Sequence, residues 1–119
     1  NVYCAQGNLE KARQMYIRAL AGKEKTLRVD HASTVDTVYN LANVYRDQGE
    51  FDEAEQMYKR ALAGYGRSLG GNHPSTVETI EQLTNLYRSQ GRPGEAWQLQ
   101  LAWGRVSNTS VLRSSHYEY

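Results

Sequence analysis

The stretch that decides the fold is residues 31–72, which read HASTVDTVYNLANVYRDQGEFDEAEQMYKRALAGYGRSLGGN. Parts of this stretch recur on both sides of it at one fixed distance. The tripeptide Asn-Val-Tyr at residues 43–45 has counterparts at residues 1–3 and 85–87, and the period is 42 residues because 87 minus 45 is 42. The same period relates His31 to His73, Gly7 to Gly49 and Gly91, Ala12 to Ala54 and Ala96, and Leu20 to Leu62. Self-similarity at this distance indicates stacked copies of one structural unit.

The first half of the unit predicts an amphipathic helix at about residues 34–48. Ser33 or Thr34 is a suitable N-cap, because a short hydroxyl side chain accepts a hydrogen bond from the free N–H groups of a first helical turn. Apolar residues then recur every three or four positions, which places them on one face of a helix. These residues are Val35, Val38, Leu41, Ala42 and Tyr45.

The second half predicts another helix at about residues 51–69, after a tight turn for which Gly49 supplies the permissive backbone. Its apolar stripe consists of Ala54, Met57, Tyr58, Ala61, Leu62, Tyr65 and Leu69. Gly64 and Gly66 interrupt this helix at a cost of about 1 kcal/mol each relative to Ala, which predicts a weakened or bent helix end. Pro74 suits the first turn of the next helix.

A two-helix unit with one apolar stripe per helix cannot bury both stripes alone, so neighbouring units must stack. The sequence therefore predicts an all-α solenoid of helical hairpins. We divide the chain into a partial first repeat at residues 1–30, with the end of a first helix and a whole second helix, and a full repeat at 31–72. A degenerate or capping third repeat follows at 73–106, and a C-terminal tail at 107–119.

Two residues of the third repeat depart from the pattern. Gln100 replaces the aromatic residue of the other repeats, and Trp103 stands where Ala19 and Ala61 stand. A large side chain at a position of close helix contact predicts a terminal, capping helix. The tyrosines on the stripes are expected to pack in the core with their hydroxyl groups at its rim, and they are Tyr3, Tyr16, Tyr45, Tyr58 and Tyr87.

Composition excludes several functional classes. The chain has 14 Lys and Arg against 13 Asp and Glu, so no basic excess favours a nucleic acid or an anionic membrane surface as partner. The single Cys4 cannot form an internal disulfide, which favours a reducing compartment and predicts a cytoplasmic protein. No segment approaches the roughly 20 apolar residues that span a bilayer.

No motif indicates catalysis, a metal or a cofactor. The glycine-rich segment at residues 64–71 lacks the third glycine of a dinucleotide loop and the Lys-Ser/Thr pair of a P-loop. His31 and His73 recur at the turns between repeats, which predicts a linker or capping role rather than a catalytic one. We therefore expect no catalytic residue, no metal site and no cofactor, and a protein that is not an enzyme.

The repeated residues resemble the tetratricopeptide repeat signature, through Leu41, Ala42, Tyr45, Gly49, Ala54, Tyr58, Ala61 and Leu62. Ordinary repeats of this family have about 34 residues. The longer unit here, with its His73-Pro74 linker and the segments at residues 45–49 and 23–27, resembles kinesin light chain repeats. Nephrocystin-like proteins and the repeat tails of fungal NB-ARC or NACHT ATPases are similar too. The resemblance implies a right-handed superhelix whose first helices line a concave, ligand-binding face.

Polar residues of the first helices are then the candidate peptide-binding residues. They are Asp36, Tyr39, Asn40, Asn43, Arg46 and Asp47, followed by Glu78, Glu81, Gln82, Asn85, Arg88 and Ser89. The amides of Asn43 and Asn85 suit the backbone of an extended peptide, or they bond to neighbouring helices. Arg46 and Arg88 suit acidic side chains, as in the cargo peptides of kinesin light chains, or they are solvated charges.

The sequence thus predicts a non-catalytic scaffold that binds a protein or peptide, with neither nucleic acid nor membrane as partner. Two alternatives stay open. One is a structural module whose repeat ends associate with other copies of the chain. The other is the sensor repeat region of a larger, nucleotide-switched signalling ATPase whose catalytic domain lies outside this sequence.

Overall fold

The computed structural model describes residues 2–27 and 31–107, and the side chains of residues 7–27 and 31–103. These residues form five helices and no strand: α1 at Val2–Thr26, α2 at Ala32–Asp47, α3 at Phe51–Ser68, α4 at Pro74–Ser89 and α5 at Pro93–Ser107. The all-α architecture of helical hairpins is confirmed. The predicted repeat boundaries stay a prediction, and the predicted tail at 107–119 lies outside the described residues apart from the backbone of Ser107.

The helices lie in two layers, with α1, α3 and α5 in one and α2 and α4 in the other. Within the first layer, Arg60 of α3 forms an ion pair with Glu24 of α1. Within the second layer, Arg46 of α2 donates a hydrogen bond to Gln82 of α4. The molecule measures 48 × 36 × 19 Å, and its smallest dimension matches two layers of helices, each about 10 Å across.

Two hydrophobic clusters hold the layers together, and α3 contributes to both. The first contains Leu20, Val35, Val38, Leu41, Ala61 and Tyr65, from α1, α2 and α3. The second contains Ala42, Ala54, Tyr58, Leu62, Ile80, Leu83, Leu86, Tyr87 and Ala96, from α2 to α5. Burial of these side chains provides the main driving force for stacking the hairpins.

The turns that end α2 and α4 are built in the same way. Gly49 has φ +80° and Gly91 has φ +72°, in the left-handed region that favours glycine. The N–H of Glu50 donates to the carbonyl of Tyr45 at 2.8 Å, and the N–H of Gly49 donates to the carbonyl of Arg46 at 3.0 Å. This pair of bonds is a Schellman motif, and the turn predicted at Gly49 is confirmed.

Helix α1 differs from the expected first repeat at Gly7. The register with Gly49 predicts a turn there, but α1 continues through Gly7, which is not among the glycines with positive φ. Residues 2–6 make less than two helical turns. They form the first residues of the continuous helix α1. The side chain of Tyr3 lies outside the described residues.

Histidines, rather than hydroxyl residues, cap the first helix of each hairpin. The Nδ1 atom of His31 accepts a hydrogen bond from the N–H of Ser33 at 3.1 Å, and Nδ1 of His73 accepts one from the N–H of Ser75 at 3.1 Å. The capping role expected for the histidines is confirmed, whereas Ser33 or Thr34 as N-cap was wrong. Thr34 is 0% exposed, because it already lies inside the helix and faces the core.

The glycines of α3 make room for neighbouring side chains, and the predicted weakened or bent helix end stays a prediction. Helix α3 continues through both positions to Ser68. A methyl group built on Gly64 would lie 2.6 Å from Cγ2 of Val35, and one built on Gly66 would lie 2.7 Å from the ring of Trp103. Because glycine has no side chain, Gly64 and Gly66 let α2 and α5 pack closely against α3. This close packing accompanies their unfavourable helix propensity. The predicted capping role of Trp103 stays a prediction.

Replacing Gly64 by Ala should destabilise the fold by about 1–3 kcal/mol, because the added methyl group overlaps Val35 in a filled core. Gly22→Ala is the matched control, since Gly22 has the same position in its repeat and no atom lies within 4 Å of an added methyl group. There the better helix propensity of Ala should stabilise the fold by up to about 1 kcal/mol. Urea unfolding followed by circular dichroism measures both changes, and stabilisation of both variants would contradict the assignment.

Candidate functional site

The twelve predicted binding residues all lie on α2 and α4, and none of them is buried. Seven are exposed: Asp36, Asp47, Glu78, Glu81, Asn85, Arg88 and Ser89. The remaining five are half-buried: Tyr39, Asn40, Asn43, Arg46 and Gln82. We call the surface formed by these twelve side chains the α2–α4 face.

Three tyrosines from α2 and α3 form the base of this face. The ring centroid of Tyr39 lies 5.9 Å from that of Tyr58, in an edge-to-face arrangement, and 6.4 Å from that of Tyr65. The hydroxyl group of Tyr58 donates to Oδ1 of Asn43, and that of Tyr65 donates to Oδ1 of Asp36. Buried aromatic residues therefore fix two of the predicted binding side chains in place.

This result confirms that the ring of Tyr58 packs in the core, but its hydroxyl group, expected at the rim, is buried too, since the whole residue is 0% exposed and the hydroxyl donates to Asn43. Tyr87 is similar, since its buried ring carries a hydroxyl group that donates to Glu55 at 3.3 Å. Tyr16 and Tyr45 are half-buried beside the cores. Sequence analysis missed the contribution of Tyr65 to the face, because its stripe position indicated only core packing.

Burial raises the pKa of all three tyrosines at the base of the face. For Tyr58 desolvation is the largest cause of the raised pKa. For Tyr65 desolvation comes first and the hydrogen bond to Asp36 second, and for Tyr39 desolvation comes first and the negative charge of Glu78 second. The three hydroxyl groups are therefore neutral hydrogen-bond donors throughout the physiological pH range.

The two asparagines of the predicted amide ladder have different surroundings. Asn43 accepts the hydroxyl proton of Tyr58, which fits the alternative that it stabilises the packing of helices. Asn85 is exposed, and no hydrogen bond to its side chain is seen within the described residues. The difference follows from the sequence, because Gln100 stands one period after Tyr58 and supplies no hydroxyl group to Asn85.

The two arginines also differ. The guanidinium of Arg46 donates to Gln82, and its Nε and Nη2 atoms each lie 3.2 Å from Oδ1 of Asp47. Arg88, one period later, is exposed and makes no ion pair with any side chain that the structure describes. Arg46 therefore connects α2 to α4, whereas Arg88 keeps a guanidinium available to a ligand.

The α2–α4 face carries more negative than positive charge. Its carboxylates are Asp36, Asp47, Glu78 and Glu81, and its cations are Arg46 and Arg88. The arginines lie in the last turns of α2 and α4, where they also interact favourably with the helix dipole. The carboxylates other than Asp47 lie nearer the starts of the helices. The face is thus acidic at one end and basic at the other.

A cavity of about 240 Å³ opens at the acidic end, lined by Asp36, Tyr39, Asn40, Tyr65, Ser75 and Glu78. It brings together residues of α2, α3 and α4, four of which belong to the predicted binding set. Tyr65 and Ser75 were not predicted as site residues.

A larger hollow of about 610 Å³ lies elsewhere, where α1 meets the turn between α2 and α3. Comparison of the repeats accounts for it. Between the later repeats, the guanidinium of Arg92 lies 4.7 Å from the ring centroid of Tyr87 and 2.8 Å from Glu55. One period earlier Glu50 stands at the place of Arg92, and both Glu50 and Tyr45 line the hollow. The hollow therefore lies where the residue at this register position differs between repeats, Glu50 in one and Arg92 in the next.

The described residues contain no group of three His, Cys, Asp or Glu side chains arranged to hold a metal ion. Within the same residues, no helix has the length and apolar character needed to cross a bilayer.

Comparison with known proteins supports this description. The sequence matches the tetratricopeptide repeat family over residues 1–67 and again over residues 34–100. Among solved structures, it is similar to a kinesin light chain-like protein of Podosopora anserina with nearly identical repeats, with 27% identity and a TM-score of 0.75. A point variant of that protein gives 27% identity and a TM-score of 0.74.

Both similarities cover 87% of this chain and 49% of the solved chain, so the chain spans about half the length of those structures. No curated protein matches the sequence significantly.

Alkaline conditions should destabilise the fold through the tyrosines at the base of the face. Their folded-state pKa values are raised, so the stability that they contribute is complete below the unfolded tyrosine pKa of about 10 and is lost as pH rises above it. Tyr58→Phe should lower stability at neutral pH by about 1 kcal/mol, because Asn43 loses its donor. The same variant should lose stability less steeply above pH 10 than the parent chain does. Urea unfolding at a series of pH values tests both expectations, and equal slopes would contradict them.

Proposed function

Because this chain belongs to the tetratricopeptide repeat family, we propose that it is a non-catalytic scaffold module that binds a segment of another protein along the α2–α4 face. Repeats of this family generally mediate protein–protein interactions and are typically not catalytic. The observation that carries the proposal is the contrast within the face, where some polar groups are held by neighbours while Asn85 and Arg88 are exposed and unpaired among the described residues.

The exposed groups suit an extended peptide. The amide of Asn85 offers both a donor and an acceptor, which is what the backbone of an extended segment requires. Arg88 offers a planar guanidinium to a carboxylate of the ligand. Asn43 and Arg46 act indirectly, since their hydrogen bonds to Tyr58 and Gln82 hold the surface in shape.

Rigidity of the face favours binding. Its side chains project from two helices that are packed on the buried rings of Tyr58 and Tyr65. A surface that is already ordered loses less conformational entropy when a ligand binds, and more of the contact energy then appears as affinity. A ligand that is flexible when free therefore bears most of the ordering cost. The single cysteine of the sequence forms no internal disulfide, which favours a reducing compartment and hence a partner in the cytoplasm.

A peptide selected from a random library against the purified chain tests the proposal. The double variant Asn85→Ala, Arg88→Ala should bind the selected peptide about tenfold more weakly, because it loses an amide contact and a charged one. The matched control is Gln56→Ala, Lys59→Ala, which removes an amide and a cation from the exposed side of α3. Its affinity should stay within about twofold of the parent. Equal losses in both variants, or no selected peptide, would contradict the proposal.

Self-association is a second candidate, supported by exposed apolar residues at the two ends of the array. Trp97 and Leu101 of α5 are each 54% exposed, and Met15 of α1 is 68% exposed. Exposed apolar surface of this kind is typical of contacts between proteins.

Light scattering over a concentration series separates the two candidates. A constant mass favours a face that is free for a foreign peptide. Growth in mass that is abolished by Trp97→Gln, Leu101→Gln would favour stacking of copies through α5.

A further inference from the structure

We infer that the cavity between α2, α3 and α4 receives a basic side chain, lysine or arginine, of the bound protein segment. The inference rests on the proposed function for the presence of a segment, and it adds the chemistry of one of its side chains. It also distinguishes the two ends of the α2–α4 face, because Arg88 at the other end suits a carboxylate.

The cavity has the size and composition for a single cationic side chain. Its volume of about 240 Å³ is below the range of pockets that hold whole small-molecule ligands. Asp36 of α2 and Glu78 of α4 face it from neighbouring helices, and the half-buried Tyr39 lines it as well, while Tyr65, which is only 2% exposed, lies at its floor. None of its lining residues carries a positive charge.

Neither carboxylate is neutralised by the contacts that the structure describes. Asp36 accepts the hydroxyl proton of Tyr65, which is a neutral donor and leaves the charge of the carboxylate uncompensated. Arg46, a cation of the same face, is directed to Gln82 and Asp47 instead. The cavity therefore holds two negative charges, which attract a cation, beside the half-buried ring of Tyr39, whose quadrupole adds to the attraction.

The same chain contains a filled example of this arrangement. The guanidinium of Arg92 lies 4.7 Å from the ring centroid of Tyr87 and forms ion pairs with Glu55 and Glu95. These contacts lower the pKa of Glu55 to about 2, chiefly through the hydrogen bond from Arg92. A ring flanked by two carboxylates is thus an arrangement that holds a guanidinium in this fold. The cavity offers the same groups without the arginine.

The repeat register shows that the residues lining this cavity do not all recur one period later. Asp36 and Glu78 are one period apart, so both helices carry a carboxylate at this position. Tyr39, however, has Glu81 as its counterpart on α4, and Tyr65 has Ser107 as its counterpart on α5. The tyrosines at these two positions of the second repeat are therefore replaced in the third.

Small probes test the cavity without knowledge of the natural ligand. The probes are the Nα-acetyl methylamides of arginine, lysine and citrulline, of which citrulline has the shape of arginine but no charge. Amide NMR shifts should move at Asp36, Tyr39, Ser75 and Glu78 on addition of the arginine or lysine probe. The arginine probe should bind at least about fivefold more tightly than citrulline. Citrulline binding as tightly as arginine, or shifts centred elsewhere, would overturn the inference.

A pair of charge-matched variants tests the assignment of the carboxylate. Glu78→Gln should weaken binding of the arginine probe by about threefold or more. Glu53→Gln makes the same charge change on α3, outside both the cavity and the α2–α4 face, and it should change binding by less than about 1.5-fold. Both side chains are exposed, so the fold should persist, as circular dichroism will verify. Equal losses in the two variants would show a general field effect and overturn the inference.

The outcome separates this inference from the proposed function. The inference would be contradicted, and the proposed function kept, by two results together. The selected peptides would bind through Asn85 and Arg88 without carrying a basic residue, and the arginine probe would not shift the amide signals of the cavity residues. Binding of the arginine probe in the cavity, with no peptide retained on the α2–α4 face, would contradict the proposed function and preserve the cation site.

Discussion

The packing of α3 between its neighbours is the constraint on which the rest of the structure depends. Ala61 and Tyr65 belong to one hydrophobic cluster, while Tyr58 and Leu62 belong to the other. A helix that is buried on two sides must let its neighbours approach closely, and Gly64 provides that space for α2. The stability of each hairpin is therefore linked to that of the next, as expected for an array in which no unit buries its apolar surface alone.

The same packing determines the chemistry of the exposed face. The rings that fill the core next to α2 end in hydroxyl groups, and these must find acceptors because a buried polar group without a partner is unfavourable. Asn43 and Asp36 are the acceptors. Core packing thereby orients polar groups on the surface, so the tyrosine at position 58 or 65 has a structural role and a positioning role at once. Phenylalanine fills the same volume but leaves Asn43 or Asp36 without that donor.

Periodicity in the sequence predicted the helices, the turn at Gly49 and the helix faces, because all of these follow from local spacing and from the backbone freedom of glycine. The family resemblance selected twelve candidate residues, all of which lie on α2 and α4 and none of which is buried. Periodicity could not predict the role of Gly64, since the same residue type either weakens a helix or admits a neighbour, and only the position of Val35 distinguishes the two. The hydrogen bond from Arg46 to Gln82 could not be predicted either, because it joins residues of different repeats.

Positions that hold the array together and positions that face a ligand differ in how they repeat. The glycine turns, the capping histidines and the buried alanines recur with one period. Tyr39 and Glu81 share a register position but differ in chemistry, as do Glu50 and Arg92. Glu50 lines the larger hollow, and Tyr39 lines the smaller one. A solenoid preserves the residues that stack its units and is free to vary the rest. The residues that break the register on an exposed face are therefore the best guide to what this chain binds.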